Sequence, residues 1–511
     1  MNNKIQHIVV LGGGAAGWLS AGLLAAEHPK KKITLIESAN IAISGVGEGT
    51  WPSMRNTLKR IGIEEIDFIR HCDASFKQGS KFINWRNINI GENYYHPFMT
   101  PEGYLETDLH AYWQHHASTQ KYADAVNMQS FVCQAALALK QLHTPEYAAV
   151  TNYGYHLDAG KFATFLKHHC VKKLNVHHII DDVIEVKNSH DDYIHSLTTI
   201  KHGDIDGDLF IDCTGARARL IGEHYGATLI TQEHILFNNS AIAAHLPYSD
   251  NQQEIASATL STAQPHGWIW DIGLPSRRGI GYTYSDKYRD EQTAVNTLKS
   301  YAALSVGEQV AEQIQTRKLS FIPGYRTQFW VKNCVAVGMS QGFIEPLEAS
   351  ALAMVELSIS MLSEQMPQNR THMDLLAKRF NQRFSYRWQR VIDFLKLHYI
   401  LSERDDSQYW RDIKKPSSIP TRLNELLALW QYQPPSRFDL IENEEVFPSA
   451  SYQYVLYGMG FHTQNTTAEN TFNNANAGQY FYQQNREKIA KYLQGLPTNR
   501  ALLNQLLNNK A

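Results

Sequence analysis

The 511-residue sequence predicts an α/β fold with one mostly parallel sheet, a second sheet region and a mostly helical C-terminal part. Three observations predict this. A short buried strand, a glycine-rich turn and a helix open the chain. Two later apolar runs end in turns of small residues, and helical apolar spacing follows residue 366. We therefore expect one domain over 1–365, with the second sheet inserted near 90–120 and 225–300, and a helical region over 366–511 that caps the substrate site.

Composition narrows the class of protein. Hydrophobic residues make up 43% of the chain, charged residues make up 19%, and the net charge is −2. These values exclude a generally disordered chain. They also show no excess of basic residues of the kind that favours nucleic-acid binding. No apolar run reaches the roughly 18 residues of a membrane span. Five cysteines without a CxxC pair favour a reducing, cytoplasmic location and argue against a structural metal site.

The first fifty residues carry the strongest local pattern. His7–Leu11 is predicted as a buried strand, and the GxGxxG sequence of residues 12–17 follows it. Trp18–Glu27 has helical spacing, and Lys32–Ile36 is a second strand that ends in Glu37. This order of elements is typical of dinucleotide binding.

Each residue type in this pattern has a physical purpose. Gly12 permits the tight turn, Gly14 lets the backbone approach a pyrophosphate, and Gly17 lets the helix pack on the sheet. The helix start, with Ala15 and Ala16, faces the phosphates. Glu37 can accept from a ribose hydroxyl, and an acid there favours FAD or NAD over NADP.

Two distant segments favour FAD. Asp208–Gly215 and Asn333–Gly338 are both buried strands that end in turns of small residues, and the second runs into Met339. In glutathione-reductase-type flavoproteins, a nucleotide-binding N-terminus is followed by two such distant segments, which close over the flavin. Ordinary strands of an α/β domain, or an NAD dehydrogenase, are the alternatives.

Four further segments have both a plain and a chemical interpretation. For SGVGEGTWP (44–52), the plain interpretation is a surface turn. For SFKQGSKFINW (75–85), it is a snorkelling lysine, whereas a buried Lys77 would have a lowered pKa and could act as nucleophile or proton donor. Trp268 and Trp270 alternate as on a strand, where they fill a core or wall off a cavity. Pro346 and Glu348 suit the first turn of a helix, in which an acid complements the dipole. The segments are SGVGEGTWP (44–52), SFKQGSKFINW (75–85), GWIWDIGL (267–274) and GFIEPLEASAL (342–352).

In this order behind the GxGxxG, these segments resemble the flavin-dependent tryptophan halogenase family, whose members are FAD-dependent halogenases of indoles and other aromatics. YYHPF (94–98) and YHLDAGKFATFL (155–166) also resemble family segments. The resemblance implies that reduced FAD, supplied by a separate NAD(P)H-dependent flavin reductase, oxygen and chloride or bromide give hypohalous acid. The acid would then reach an indole, tryptophan-like or other electron-rich aromatic substrate.

The resemblance also implies roles for particular residues. Lys77 would hydrogen-bond the hypohalous acid or become a haloamine, and Glu348 would polarise the oxidant and stabilise or deprotonate the arene intermediate. The backbone amides of Ser350 and Ala351 would hold the halide. The substrate pocket would contain His96, Phe98, Trp268 and Trp270. The remaining residues implied to contact FAD are Val46, Gly47, Gly49, Val183, Met339 and Leu352.

One departure from the family pattern concerns the halide. Ala349 and Ala351 stand where the family often has serine and glycine, and a backbone site tolerates alanine at residue 351 only if φ is negative there.

The alternative function is an FAD-dependent aromatic hydroxylase of the same fold, without a halide. A non-catalytic flavin sensor would need no Lys77–Glu348 pair. A homodimer is a further partner arrangement that the sequence leaves open.

Overall fold

The computed structural model describes residues 4–41, 47–464 and 475–508. They belong to two compact units. The first consists of Met1–Ala74, Leu157–Glu233 and Phe321–Trp388, and the second of Ser75–His156, His234–Ser320 and Gln389–Ala511. These boundaries differ from the predicted ones, and the capping role predicted for 366–511 stays a prediction. Within the described part of the chain, no helix is long and apolar enough to cross a membrane.

The strands and helices are numbered in chain order. The strands are β1 His7–Leu11, β2 Lys32–Glu37, β3 Gly47–Gly49, β4 Ser75–Lys77, β5 Gly79–Ile83, β6 Asn93–Pro97, β7 Gly154–Asp158, β8 His177–Ile180, β9 Val183–Asn188, β10 Ile194–Thr199, β11 Gly203–Asp206, β12 Leu209–Asp212, β13 Leu229–Thr231, β14 Ser240–Leu246, β15 Thr259–Gln264, β16 Gly267–Gly273, β17 Arg278–Tyr284, β18 Thr316–Ser320, β19 Gly324–Arg326, β20 Trp330–Val331, β21 Cys334–Ala336 and β22 Gly342–Phe343. The helices are α1 Ala15–Glu27, α2 Ser53–Ile61, α3 Glu65–His71, α4 Leu109–His116, α5 Tyr122–Val126, α6 Gln129–Gln134, α7 Ala159–Lys173, α8 Glu291–Val306, α9 Glu308–Gln313, α10 Ser350–Glu364, α11 Arg370–Ile400, α12 Gln408–Asp412, α13 Thr421–Trp430, α14 Ser449–Gly458, α15 Ala475–Gly495 and α16 Asn499–Asn508.

The first unit contains the predicted parallel sheet. Its strand order is β20-β21-β12-β1-β2-β8, and all neighbours except β20 and β21 are parallel. Val10 pairs with Leu35 on one side and Ile211 on the other. Both neighbours of β1 therefore come from the strands that the sequence predicts, and the α/β fold class is confirmed.

Burial explains why this sheet forms. Its central strands are apolar on both faces, as parallel strands between covering layers are. Val9, Ile36 and Phe210 belong to one buried cluster, and α1 packs against α7 and α10. The predicted helix is present but begins at Ala15, three residues before Trp18. Two smaller antiparallel sheets, β11-β10-β9 and β13-β19-β22, complete the first unit.

The second unit is built on a seven-stranded sheet of order β18-β14-β17-β16-β15-β5-β6. All neighbours are antiparallel except β15 and β5. The sequence places this sheet near 90–120 and 225–300, but 90–120 contributes only β6. Residues 109–134 carry α4, α5 and α6 instead, and Asp108 caps α4 by accepting from the His110 amide.

The two faces of this sheet carry different side chains. Ile269 and Tyr282 pack with Leu298 of α8 in one buried cluster. Trp268 and Trp270 precede and follow Ile269 in β16, so both stand on the opposite face. In the C-terminal part, α11 and α13 are helices, in agreement with the helical apolar spacing that follows residue 366.

Candidate functional site

The glycine turn of the first unit is closely packed on one side and open on the other. A Cβ on Gly12 would meet the Cys213 carbonyl, and one on Gly17 would meet the Gly12 carbonyl. A Cβ on Gly14 would meet nothing within 4 Å. Gly14 is the N-cap of α1, with no side-chain cap and no acid in the first turn. The first amides of α1, from Ala15 and Ala16, are thus left for an anion.

Glu37 lies at the end of β2 beside this turn. A Cβ on Gly13 would meet its carboxylate, and its Oε1 lies 2.8 Å from His178 Nε2 and 3.5 Å from Lys167 Nζ. Burial alone would raise the pKa of Glu37, but hydrogen bonding from His178 and the charge of Lys167 outweigh burial and lower it. The carboxylate is therefore an ionised acceptor.

The turn that follows β21 packs on the start of α1. A Cβ on Gly338, whose φ is 76°, would lie 2.9 Å from the Ala16 Cβ. Met339 follows, and 43% of its surface is exposed, which is high for a large apolar residue. The turn after β21 therefore places an apolar side chain beside the glycine turn. Val183, the first residue of β9, is half-buried and follows the Asp181 amide that donates to the Glu37 carbonyl.

These observations fit FAD. The closely packed glycines, the open space at Gly14, the uncapped α1 amides and the ionised Glu37 suit an adenine dinucleotide. The exposed Met339 suits an apolar ring system. The predicted contact Val46 lies outside the described residues.

Gly47 and Gly49 are buried in β3, with Glu48 half-buried between them. Burial, and to a smaller extent the charge of Asp158, raises the pKa of Glu48 to about 7. Two residues beyond Gly49, the Trp51 indole donates to the Glu348 carbonyl at 2.7 Å. This hydrogen bond links the segment around β3 to the segment that contains Glu348.

The sequence predicts Glu348 in the first turn of a helix. In the structure, Glu348 lies before the helix α10. Helix α10 begins at Ser350, and Leu347–Ala349 form a short 3₁₀ segment before it. Glu348 and Ala349 have φ of 62° and 55°, in the left-handed region, so the helix cannot extend back through them.

The candidate halide residues follow directly. Ser350 is buried, Ala351 is exposed, and both lie in the first turn of α10, which has no acid and no side-chain cap. Ala351 is helical and absent from the positive-φ residues, so it meets the condition under which alanine is tolerated. Leu352 is buried in the same turn.

In the second unit, Lys77 is 1% exposed at the end of β4. Its Nζ lies 5.4 Å from the centre of the Phe98 ring. Lys77 and His156 stand on one face of the β4–β7 pair, since Ser75 pairs with His156 and Lys77 with Gly154. Burial, and to a smaller extent the charge of Lys77, lowers the pKa of His156 well below its usual value.

His96 and Phe98 come from β6 and from the residue just after it. His96 is buried, and its Nε2 lies 2.9 Å from Ser451 Oγ of α14. The His96 ring packs at 5.6 Å against Phe394 of α11. Phe98 is half-buried, and its amide donates to the Gln78 carbonyl. The second unit thus brings Lys77 and Phe98 together and surrounds His96 with aromatic rings.

Trp268 and Trp270 are 1% and 7% exposed, and their rings lie 6.3 Å apart, edge to face. Trp270 lies flat on β17, where a Cβ on Gly281 would meet its indole. Trp268 packs 6.1 Å from Trp85, which in turn contacts Trp410. Both tryptophans are therefore part of a buried aromatic layer.

Several residues that contact the candidate site were not predicted. Trp51 and Ser451 are examples, because their partners Glu348 and His96 lie 297 and 355 residues away in sequence. No local pattern indicates such contacts. Glu348 and Lys77 belong to different units, and their predicted pairing stays a prediction.

Comparisons with known proteins agree with one another. A family model described as tryptophan halogenase matches residues 7–473. A solved tryptophan halogenase from Shewanella frigidimarina is 48% identical, with a TM-score of 0.96, and the match covers 99% of this chain and 98% of that one.

Two curated relatives match over most of their length. The 7-chloro-L-tryptophan 6-halogenase KtzR of a Kutzneria species is 30% identical over 96% of this chain and 98% of its own. The tryptophan 6-halogenase SttH of Streptomyces toxytricini is 31% identical over 89% of both chains.

Proposed function

This chain belongs to the tryptophan halogenase family, and from that membership we propose how its residues divide the reaction. The protein is a flavin-dependent halogenase, an oxidoreductase, and the comparisons do not favour the hydroxylase alternative. The proposal is that it uses reduced FAD and a chloride or bromide ion to halogenate tryptophan or another indole. Lys77 and Glu348 are the proposed catalytic residues.

The proposed FAD contacts are in the first unit. The amides of Ala15 and Ala16 bind the pyrophosphate, and Gly14 gives it room. Gly12 and Gly17 keep the turn closely packed, and Glu37 accepts from a ribose hydroxyl. When bound, reduced FAD would donate electrons to oxygen, which would then oxidise the halide to hypohalous acid. A separate NAD(P)H-dependent flavin reductase is the proposed source of those electrons, and the cytoplasm is the proposed location. The remaining proposed contacts are Val46, Gly47, Gly49, Val183, Met339 and Leu352.

The proposed halide site is the start of α10. Backbone amides of Ser350 and Ala351 lack intrahelical partners by position, and the macrodipole favours an anion there. No carboxylate in the first turn of α10 competes for these amides. Glu348, which is 7% exposed, accepts or holds a proton at its carboxyl oxygens beside this site.

The observation that carries the proposal is the burial of Lys77 beside an aromatic ring. An amine that is almost fully removed from water can donate a hydrogen bond to the oxygen of hypohalous acid, with no bulk water to compete. Free hypohalous acid is unselective, so holding it at one point selects one ring carbon. His156 stays neutral beside Lys77 and adds no second positive charge.

The proposed substrate is an indole, with free tryptophan as the first candidate, because the relatives are named for it. His96 and Phe98 supply a polar edge and an aromatic face for such a ring. Trp268 and Trp270, whose rings pack edge to face, are the proposed aromatic wall of the substrate pocket, and by keeping the substrate from the flavin they would suppress oxygenation.

The test is turnover with FAD, a flavin reductase, NADH and oxygen. Tryptophan and indole are each supplied with chloride or with bromide, and products are read by mass spectrometry. We expect a regioselective monohalogenated product with the halogen's isotope pattern. A product that is heavier by one oxygen, or none with either substrate, contradicts the proposal.

Two lysine variants make the test specific. Lys77→Ala should lower the rate by about 10²-fold or more, as loss of a group that handles protons does. Lys81→Ala is the matched control, since Lys81 is half-buried and its Nζ also lies 5.4 Å from a ring, that of Tyr95. Equal losses in the two variants would contradict a specific role for Lys77.

A further inference from the structure

Trp51 contacts the segment before the proposed halide site, although the sequence gives no reason for the contact. Its indole Nε1 donates to the Glu348 carbonyl oxygen at 2.7 Å, across 297 residues of sequence. Trp51 is half-buried, between β3 and the start of α2. A neutral N–H donor therefore holds the peptide group that joins Glu348 to Ala349.

That peptide lies in an unusual turn. Glu348 and Ala349 have consecutive φ values of 62° and 55°, and neither is glycine. Such residues persist in the left-handed region only where surrounding contacts fix them. Within the turn, the Ala349 amide donates to the Pro346 carbonyl at 3.0 Å. The Trp51 bond adds a constraint from a different part of the chain.

The turn determines where α10 begins. Ala349 is the N-cap of α10 and has no side-chain oxygen that could occupy the first amides. The direction of the Ser350 and Ala351 amides therefore follows from the backbone of the turn. The indole N–H also offsets the partial negative charge of the Glu348 carbonyl, which would otherwise disfavour a nearby anion.

A second contact holds the same two elements together. The Glu356 carboxyl of α10 accepts from Ser53 Oγ at 3.0 Å and from Thr57 Oγ1 at 2.5 Å, both on α2. Trp51 precedes α2 by two residues, so its indole is fixed on the element that packs on α10. This contact also provides a control, since Ser53→Ala removes one hydrogen bond between α2 and α10 while Thr57 still holds Glu356 and the indole N–H is retained.

We propose that Trp51 is a positioning residue for the halide: its N–H holds the Glu348–Ala349 peptide in the turn that presents the Ser350 and Ala351 amides to the anion. This inference rests on the proposed halide site at the start of α10. It predicts that loss of the N–H weakens halide binding and leaves FAD binding and the chemical step nearly unchanged.

The test compares wild type with Trp51→Phe, which keeps an aromatic ring and removes the donor. We expect the KM for bromide to rise about fivefold, the size of one lost hydrogen bond. The kcat at saturating bromide and the Kd for FAD should stay within about twofold, a change too small to count as a lost bond. Ser53→Ala should leave all three values unchanged.

Two further readouts separate positioning from general destabilisation. Hydrogen exchange of the amides of residues 349–351 should be faster in Trp51→Phe, without cofactor or turnover. The double variant Trp51→Phe/Ala349→Gly should recover the bromide KM, because glycine adopts positive φ without a steric penalty.

Two results would overturn the inference. One is a Trp51→Phe variant with unchanged bromide KM and unchanged exchange, while wild type shows bromide-dependent turnover. In that case the proposed function stands and Trp51 has no part in halide binding. The other is a wild type that binds FAD without any halide-dependent product, in which case the proposed function fails and this inference fails with it.

Discussion

At the scale of single residues, the segment Glu348–Ala349 is the most constrained backbone near the proposed chemistry. Two adjacent left-handed residues without glycine cost about 1 kcal/mol or more each. Strain of this kind persists where it serves a site and is compensated elsewhere. Because of it, Glu348 stands before α10 and is not part of the first turn of the helix.

Glu348→Gln tests the proposed role of the carboxyl. The amide keeps the size of the side chain but cannot take up or release a proton, so halogenation should fall by about 10²-fold. Product formation per turnover of reduced flavin measures this.

The control for Glu348→Gln is Glu364→Gln, at the other end of α10, where the side chain is 68% exposed. It should keep the wild-type rate. Wild-type activity in Glu348→Gln would remove the carboxyl from the mechanism.

At the scale of elements, the contact between α2 and α10 contains a buried titratable group. Glu356 is 3% exposed, and burial raises its pKa from 4.5 to about 7, against the hydrogen bonds from Thr57 and Ser53. The folded state therefore holds a proton that the unfolded state loses between these pH values. The stability from this group is fully present below pH 4.5 and is lost as pH rises through about 7.

Glu356→Gln should remove this pH dependence. Between pH 5 and 8, the free energy of unfolding of wild type should fall more than that of the variant, by up to about 3 kcal/mol. Glutamine does not ionise; its Oε1 can accept from one of the two hydroxyls, and its Nε2 can donate to the other. Urea unfolding of both proteins at each pH measures the difference, and parallel curves would show that Glu356 does not titrate in this range.

The glycine turn gives a second test at this scale. Gly14→Ala should fold normally, since the added Cβ meets no protein atom within 4 Å. It should weaken FAD binding about tenfold, because the Cβ occupies the space where the pyrophosphate approaches.

Gly495→Ala, which also meets nothing within 4 Å, is the matched control for Gly14→Ala and should bind FAD as wild type does. Fluorescence titration with FAD measures both. Equal affinities in the two variants would contradict the proposed position of the cofactor.

The accuracy of the sequence prediction differs between elements for physical reasons. The first strand, the glycine turn and α1 are encoded locally, by a buried apolar run and by glycines whose Cβ would clash. Residues 109–134 were expected partly as sheet, because short helices rich in aromatic residues and histidine give no clear period. The first of these helices, α4, has a local cap in Asp108, whereas α5 and α6 have no side-chain cap.

At the scale of the whole molecule, the motifs indicate candidate residues but not what surrounds them. Lys77 was singled out from the SFKQGSKFINW segment, and its burial and the Phe98 ring are seen only in the fold. Contacts such as that between Trp51 and Glu348 join segments about 300 residues apart, so one sequence alone cannot indicate them. Two compact units assembled from alternating segments are also invisible to a linear division of the chain.

Lys77 is proposed to direct an oxidant formed with the flavin to the arene. The most direct measurement supplies reduced FAD, oxygen, bromide and tryptophan with an excess of a β-diketone that captures free hypobromous acid. Wild type should give mainly brominated tryptophan. Lys77→Ala should brominate the β-diketone at nearly the rate at which wild type brominates tryptophan. It should form about 10²-fold less brominated tryptophan than wild type. Bromination of tryptophan by Lys77→Ala at the wild-type rate under these conditions would contradict the account.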